Sequence, residues 1–404
     1  MSEPNRERAL QRPLGALLGL RRSAARSLWR TQREVVGQKE GVAPVEVLAP
    51  PTRSSTVFLT KQVFLWLWNY LKVVFTPRLR FRRYTAPQNT RPGVYPLSDA
   101  CTIALAADWG TGTSSAYRVG DAIRALQPDV TVHLGDVYYS GTEQEYRDYF
   151  VGPGEWPRGK RATYALNGNH EMYSGGRGYF RVGLPALGQE TSYFCLENAH
   201  WRIVGLDTGY YAKSFPFLEL IISFIRLHRV NRRWLKDVVF ADPTDQRPAI
   251  LLSHHQWFSA FDSEYRRVGS GLAPYLDRVL LWFWGHEHRF AGYAPFGFNG
   301  KRVRARCIGH GGMPIELGGK VKRPDRALVF TDERQAGDVD GQKIGFCGFA
   351  MLRLDGPDLR VEYYDENRTK LLEERWRTGP AGATGSVAVG DRLKVYQPLD
   401  SLVS

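Results

Sequence analysis

The chain has 404 residues, 43% of them hydrophobic and 24% charged, with a formal net charge of +14. That is enough apolar material for a full core, at roughly 100–200 residues per domain, and it excludes a disordered chain. Cys101, Cys195, Cys307 and Cys347 show no C-x-x-C spacing, which argues against a zinc knuckle or a dense disulfide framework and for a reducing compartment.

The charge is uneven. Residues 1–84 hold sixteen Lys and Arg against five Glu, a balance of +11, so the remainder carries only +3. Anionic lipid and nucleic acid both answer such a segment, but it has no regular aromatic/basic motif, so nucleic acid is not the expected partner. Residues 14–20 form a short apolar stretch interrupted by Gly15 and Gly19 and closed by Arg21 and Arg22, so no secretory signal is expected and the protein is placed in the cytoplasm. Residues 57–75 read as an amphipathic helix. Lys61, Asn69 and Lys72 share one arc, the rest of the surface is Phe, Leu, Trp and Val, and Arg78, Arg80, Arg82 and Arg83 follow. That pattern fits a helix lying on the cytoplasmic face of an anionic membrane without spanning it. It fits equally an extra helical layer packed on the body. An insert at about 213–236, apolar first and then rich in arginine, has the same make-up.

A compact α/β body is expected over 95–378, preceded by a basic extension over 1–94 and followed by a Gly/Ala/Thr-rich tail over 379–404. Apolar runs predict strands at 102–107, 130–134, 163–166, 192–196, 203–206, 249–252 and 280–283, and helical spacing predicts helices at 117–126, 143–150 and 272–279. Shorter β-like runs follow at 348–354 and 360–364. Strands alternating with helices imply sheet layers covered by helices, with ligands held at strand ends.

The chemistry gathers at those ends. A-D-W-G, L-G-D-V-Y-Y, N-G-N-H-E, S-H-H and W-G-H-E-H each follow an apolar run, and together they supply Asp108, Asp136, Asn169, His254, His286 and His288. Carboxylate, amide oxygen and imidazole suit Fe, Mn and Zn, and two such ions about 3.5–4 Å apart need one bridging ligand, for which Asp136 is placed.

In this order the clusters resemble those of the calcineurin-like metallophosphoesterases, over about residues 102–312, and in particular the purple acid phosphatase branch. The usual first motif of the superfamily is Asp-x-His; here the His position is Gly110. The branch replaces that histidine with a tyrosine three residues beyond the bridging aspartate, which points to Tyr139. The resemblance implies a four-layer αββα sandwich and two metal ions. It implies Asp108, Tyr139 and His288 on Fe(III), Asn169, His254 and His286 on a divalent Fe, Zn or Mn, and Asp136 between them. It implies hydrolysis of phosphomonoesters, with His170 serving the leaving group. Glu171 is then read as orienting His170, His255 as a supporting residue and His310 as lining the pocket mouth. A phosphodiesterase acting on cyclic nucleotides or phospholipid-like substrates is the alternative enzyme. A non-catalytic scaffold is the alternative from another class, disfavoured because every ligand position is filled.

Overall fold

The computed structural model describes residue 68 and residues 71–73, 75–85, 91–152, 155–212, 224–315, 317–339, 342–380, 382–389 and 392–404. Most of the basic extension and of the apolar stretch 57–75, and residues 213–223 of the insert, lie outside them. Among the described residues no helix is long and apolar enough to cross a membrane.

Two sheets face each other. The first runs β18 (Gly382–Val389), β17 (Lys370–Gly379), β16 (Asp358–Asp365), β15 (Gly348–Asp355), β2 (Ala100–Ala106), β3 (Val130–His133) and β4 (Ala162–Ala165). The second runs β1 (Val94–Pro96), β5 (Phe194–Glu197), β6 (Arg202–Gly205), β7 (Ala249–Ser253), β8 (Val279–Trp284), β11 (Lys301–Ile308), β9 (Phe290–Tyr293), β12 (Leu328–Thr331) and β19 (Lys394–Val395), with β10 (Phe296–Phe298) on β11. A separate hairpin pairs β13 (Gln335–Val339) with β14 (Gln342–Gly345).

Alternation along the strands builds the layers. In β2, Ile103 and Leu105 join Phe194, Ile203, Ile250 and Leu281 between the sheets, while Ala104 and Ala106 face outward. Those small residues let helix α1 (Ser114–Leu126) lie close, burying Ala116, Val119, Ala122 and Ile123 at helical spacing. Thr113 caps α1 by accepting from the Ala116 N–H, and Gln127 ends it in the left-handed region. On the other outer face Leu251, Trp282 and Trp284 carry α3 (Arg229–Trp234), through Trp234, and α4 (Arg266–Leu272), through Val268 and Leu272. Each fully buried Leu, Ile or Phe contributes roughly 1.5–3 kcal/mol over its exposed state. The expected αββα sandwich is thus the architecture.

Three expectations need correction. The tail over 379–404 is part of the body: β18 pairs with β17 along its length, and β19 pairs with β12. Its Gly/Ala/Thr composition reads as a linker, yet in an outer strand little side-chain volume is needed. The body also begins before residue 95, since the Leu79 N–H donates to the Gly175 carbonyl at 2.9 Å and Tyr84 Oη to the Tyr193 carbonyl at 2.5 Å. Finally, the helix expected at 272–279 is a short 3-10 helix over Ala273–Arg278 with Pro274 in its first turn, and it is preceded by α4, which was not expected. Gly269 and Gly271 hide α4 in the sequence. Gly269 is required there, because a Cβ would lie 2.1 Å from Trp257 Nε1.

Candidate active site

Parallel strands β2, β3 and β4 end side by side, and so do β7 and β8 in the facing sheet. The segments that follow deliver Asp108, Asp136 and Asn169 from one sheet, and His254, His286 and His288 from the other. Asp108, Asp136 and His286 all sit at positive φ, at 58°, 73° and 67°. Side chains rarely accept that conformation, and strain of this kind gathers at functional sites.

Glu171 holds the cluster from beneath. This carboxylate is fully buried on α2 (Asn169–Tyr173) and accepts from the N–H groups of Asp136 (3.1 Å), Val137 (2.8 Å) and Gly168 (2.8 Å) and from Tyr146 Oη (3.0 Å). It therefore ties the loop after β3 to the loop after β4, and it does not orient His170 as the sequence suggests. Gly168 leaves room for this: a Cβ there would lie 2.1 Å from Asp136 Oδ1.

The tyrosine at the site is Tyr138, not Tyr139. Tyr138 Oη donates to Asp108 Oδ1 at 3.0 Å, lies 3.3 Å from Asp136 Oδ2 and is 3.0 Å from His288 Nε2. Tyr139 turns the other way; its N–H donates to Glu145 Oε1 at 2.6 Å and its carbonyl accepts from His170 Nδ1 at 2.7 Å. The reason is the local turn. Val137, which bridges to Gly110, is followed at once by a turn over residues 138–140, and this turn directs the two neighbouring rings apart. Gly110 fits the same picture. Its carbonyl accepts from the Tyr138 N–H at 2.9 Å, and a Cβ at this position would come within 2.8 Å of Val137 Cγ2. The position that carries histidine in the usual motif is closed here by the segment that brings in the tyrosine.

Asn169 Oδ1 stands 3.0 Å from both His254 Nε2 and His286 Nδ1, while Asp136 Oδ2 is 3.3 Å from His254 Nε2. The other ring nitrogens are engaged: His254 Nδ1 donates to the Leu134 carbonyl at 3.0 Å, and His286 Nε2 meets Tyr265 Oη at 2.9 Å. With Nδ1 held by that carbonyl, it is Nε2 of His254 that faces the cluster. His170 lies at the rim with Nε2 3.8 Å from Asp136 Oδ2. His255 hydrogen-bonds Thr208 Oγ1 through Nδ1 at 3.2 Å and packs its ring on His286. His310 does not line the pocket mouth; it is buried against Phe290 in a parallel stack. Tyr265, Thr208 and Tyr146 are supporting residues that the sequence does not flag, since no motif surrounds them.

The electrostatics are those of donors gathered for a cation. Burial pushes the Asp108 carboxyl up, to about 8, with Asp136 adding to the rise. Burial also opposes ionisation of Asp136, but His254 and His170 outweigh it and hold that carboxyl well below the usual range. Burial would lower His254, yet Asp136 raises it to about 9. The Tyr138 phenol is driven well above its ordinary value by burial and by the carboxylates of Asp108 and Asp136. Asp108, Asp136 and His254 each offer a donor atom within 4.8 Å of the others, and so do His254, His255 and His286. Buried donors that otherwise share protons at such separations fit metal ions, which remove the repulsion between the carboxylates and give the imidazole lone pairs a partner.

Comparison with known proteins agrees. Residues 101–290 match the family model described as calcineurin-like phosphoesterase. Purple acid phosphatase 21 of Arabidopsis thaliana is 25% identical over an alignment covering 61% of this chain and 57% of its own. Among solved structures, the purple acid phosphatase PPD1 from yellow lupin (Lupinus luteus) seeds shares 17% identity over 69% of this chain and 53% of its own, with a TM-score of 0.42. PhoD shares 11% identity over 77% of this chain and 76% of its own, with a TM-score of 0.50, a likeness of fold. The chain thus spans little more than half the length of the two plant relatives. Over residues 101–290, a little under half its length, the chain matches the calcineurin-like phosphoesterases, and a purple acid phosphatase is among its sequence relatives.

Proposed function

We propose that this protein is a metal-dependent phosphoric ester hydrolase acting on phosphomonoesters, with a dinuclear centre in the cluster just described. One observation carries the reading: two donor sets lie side by side and share Asp136. Asp108, Tyr138 and His288 surround one position; Asn169, His254 and His286 surround the other. A phenol releases its proton at neutral pH only to a strong Lewis acid, so the first set suits Fe(III) and the second a divalent Fe, Zn or Mn. Such a pair supplies charge neutralisation for a phosphoryl group and lowers the pKa of water.

The chain's own residues do the rest. Asp136 Oδ1 accepts the His170 N–H at 3.0 Å, which seats the His170 backbone at the cluster. His170 Nδ1 donates a hydrogen bond to the Tyr139 carbonyl at 2.7 Å, so Nε2 faces the rim of the site. When protonated there, it can donate to a leaving-group oxygen. Glu171 keeps both loops in register by holding their N–H groups. Hydrolysis of p-nitrophenyl phosphate against its bis-ester, with metal content measured on the same sample, tests the reading. Turnover of the monoester by protein holding about two metal ions per chain is expected. Preference for the bis-ester would move the assignment to a diesterase. Neither turnover nor bound metal would leave the scaffold reading.

Peripheral docking on the cytoplasmic face of a membrane is a further proposal. It is supported by Trp68, Leu71 and Phe75, which are 53%, 45% and 77% exposed and recur at helical spacing. Sedimentation with anionic liposomes at low and moderate salt tests it, and a protein that stays in the supernatant in both rules it out.

A further inference from the structure

Helix α3 and the turn that extends it to Val239 carry two opposed faces. Asn231, Trp234, Leu235 and Val239 are buried. Arg229, Arg232, Arg233 and Lys236 stand at i, i+3, i+4 and i+7, so all four cations share the outward face. Together with Ser270 and Tyr275 they line a groove of about 430 Å³ between this helix and α4. Asp237 also lines it, leaving a balance of three positive charges.

Arrangements of this kind oppose helix stability. Like charges three and four residues apart repel each other, and Arg229 occupies the first turn, where the helix dipole disfavours a cation. Natural helices offset such crowding with carboxylates, yet among the described residues the groove holds a single carboxylate, Asp237, for the four cations. Elsewhere on the protein arginines are heavily paired, as Arg202, Arg247, Arg326 and Arg334 are. The pile-up is local. The field it creates, with burial the larger cause, lowers neighbouring His228 to about 4.

We propose that this groove is a second anion site, separate from the strand-end cluster, that takes a group bearing several phosphates. Guanidinium groups pair with phosphate oxygens in bidentate fashion, and four cations in one groove match three or four phosphoryl charges better than a single carboxylate. Tyr275, half-buried and stacked on Phe240, adds a hydroxyl at the groove wall. The same chemistry could come from a soluble polyphosphate or from a phosphorylated lipid headgroup.

Tripolyphosphate binding, measured by calorimetry on the full chain in EDTA so that hydrolysis does not consume the probe, tests this. Arg232→Ser combined with Arg233→Ser is expected to weaken binding roughly tenfold or more, given the strength of charge-assisted hydrogen bonds. Gly271→Glu is a second variant that keeps the fold. A Cβ at Gly271 lies 3.5 Å from Arg232 Cδ with nothing closer, so the new carboxylate enters the groove and competes with the probe. Both variants should hydrolyse p-nitrophenyl phosphate as the parent does. Vesicles of equal parts phosphatidylcholine and phosphatidic acid form the second arm. Vesicle binding that the variants lose and tripolyphosphate displaces assigns the site to a headgroup; tripolyphosphate binding alone assigns it to a soluble ligand. Parent protein that binds neither probe, or variants that bind as tightly as the parent, would overturn the proposal.

Discussion

Replacing Tyr138 with Phe removes one oxygen and little volume, and it separates the two tyrosines in a single comparison. In the metal-free protein Tyr138 Oη is the donor to Asp108 Oδ1 at 3.0 Å, and Asp108 is fully buried. The change strips a buried carboxyl of that donor. Burial keeps that carboxyl largely neutral near pH 7, and a hydrogen bond between neutral groups contributes about 0.5–1.5 kcal/mol, so the metal-free variant should lose stability of that order. Loaded with iron, the parent should absorb visible light through phenolate-to-Fe(III) charge transfer. Tyr138→Phe should lose that band and part of its iron; Tyr139→Phe should keep both, because its ring lies on the other side of the backbone. The assay is a visible spectrum with metal analysis and urea denaturation on the three proteins. Bleaching in Tyr139→Phe with colour retained in Tyr138→Phe would refute the geometry.

Asp136→Asn, which removes the shared carboxylate, should abolish phosphoester hydrolysis and lower metal content while circular dichroism stays unchanged; a metal-free variant with full activity sinks the dinuclear reading. Arg306 and Glu374 form an ion pair with both side chains fully buried, Nη2 to Oε2 at 2.8 Å, and Arg306→Met strands the carboxylate, which should cost about 3–5 kcal/mol in urea unfolding. Burial lowers His310 to about 3. A depressed histidine contributes stability that is full above its unfolded value near 6.5 and is lost as pH falls toward 3, so at pH 5 about 2 kcal/mol should be gone. His310→Leu should flatten that acid limb of thermal stability, and an unchanged slope between pH 7.5 and pH 5 would count against it.

The strand-end motifs were legible in the sequence because each sits where an apolar run stops, and the structure brings Asp108, Asp136, Asn169, His254, His286 and His288 within reach of one another. The tyrosine was not. Counting three from Asp136 selects a residue by its distance along the chain, whereas the side of the backbone it occupies depends on the bridge of Val137 to Gly110 and the turn that follows it. Strand β17 was hidden for another reason. K-L-L-E-E-R-W-R shows no alternation, since it buries Glu373 and Glu374 among its leucines, and Glu374 is acceptable there only because Arg306 arrives from the other sheet. Nothing in either segment alone announces that pairing. Strand β18 and helix α4 were obscured by glycine, which local propensity reads as interruption.

Each donor set at the site draws on both sheets: Asp108 and Tyr138 from one with His288 from the other, and Asn169 with His254 and His286 likewise. Ions bound there would be cross-links between two halves of a sandwich that elsewhere adhere through apolar side chains and the buried Arg306–Glu374 pair. Affinity for metal and cohesion of the halves are therefore linked quantities, since whatever binds the closed arrangement stabilises it by mass action. A cavity made far from the site, at Ile103 or Leu281 between the sheets, can then be felt as weaker metal retention. Metal, conversely, becomes a measure of how well the two sheets hold together.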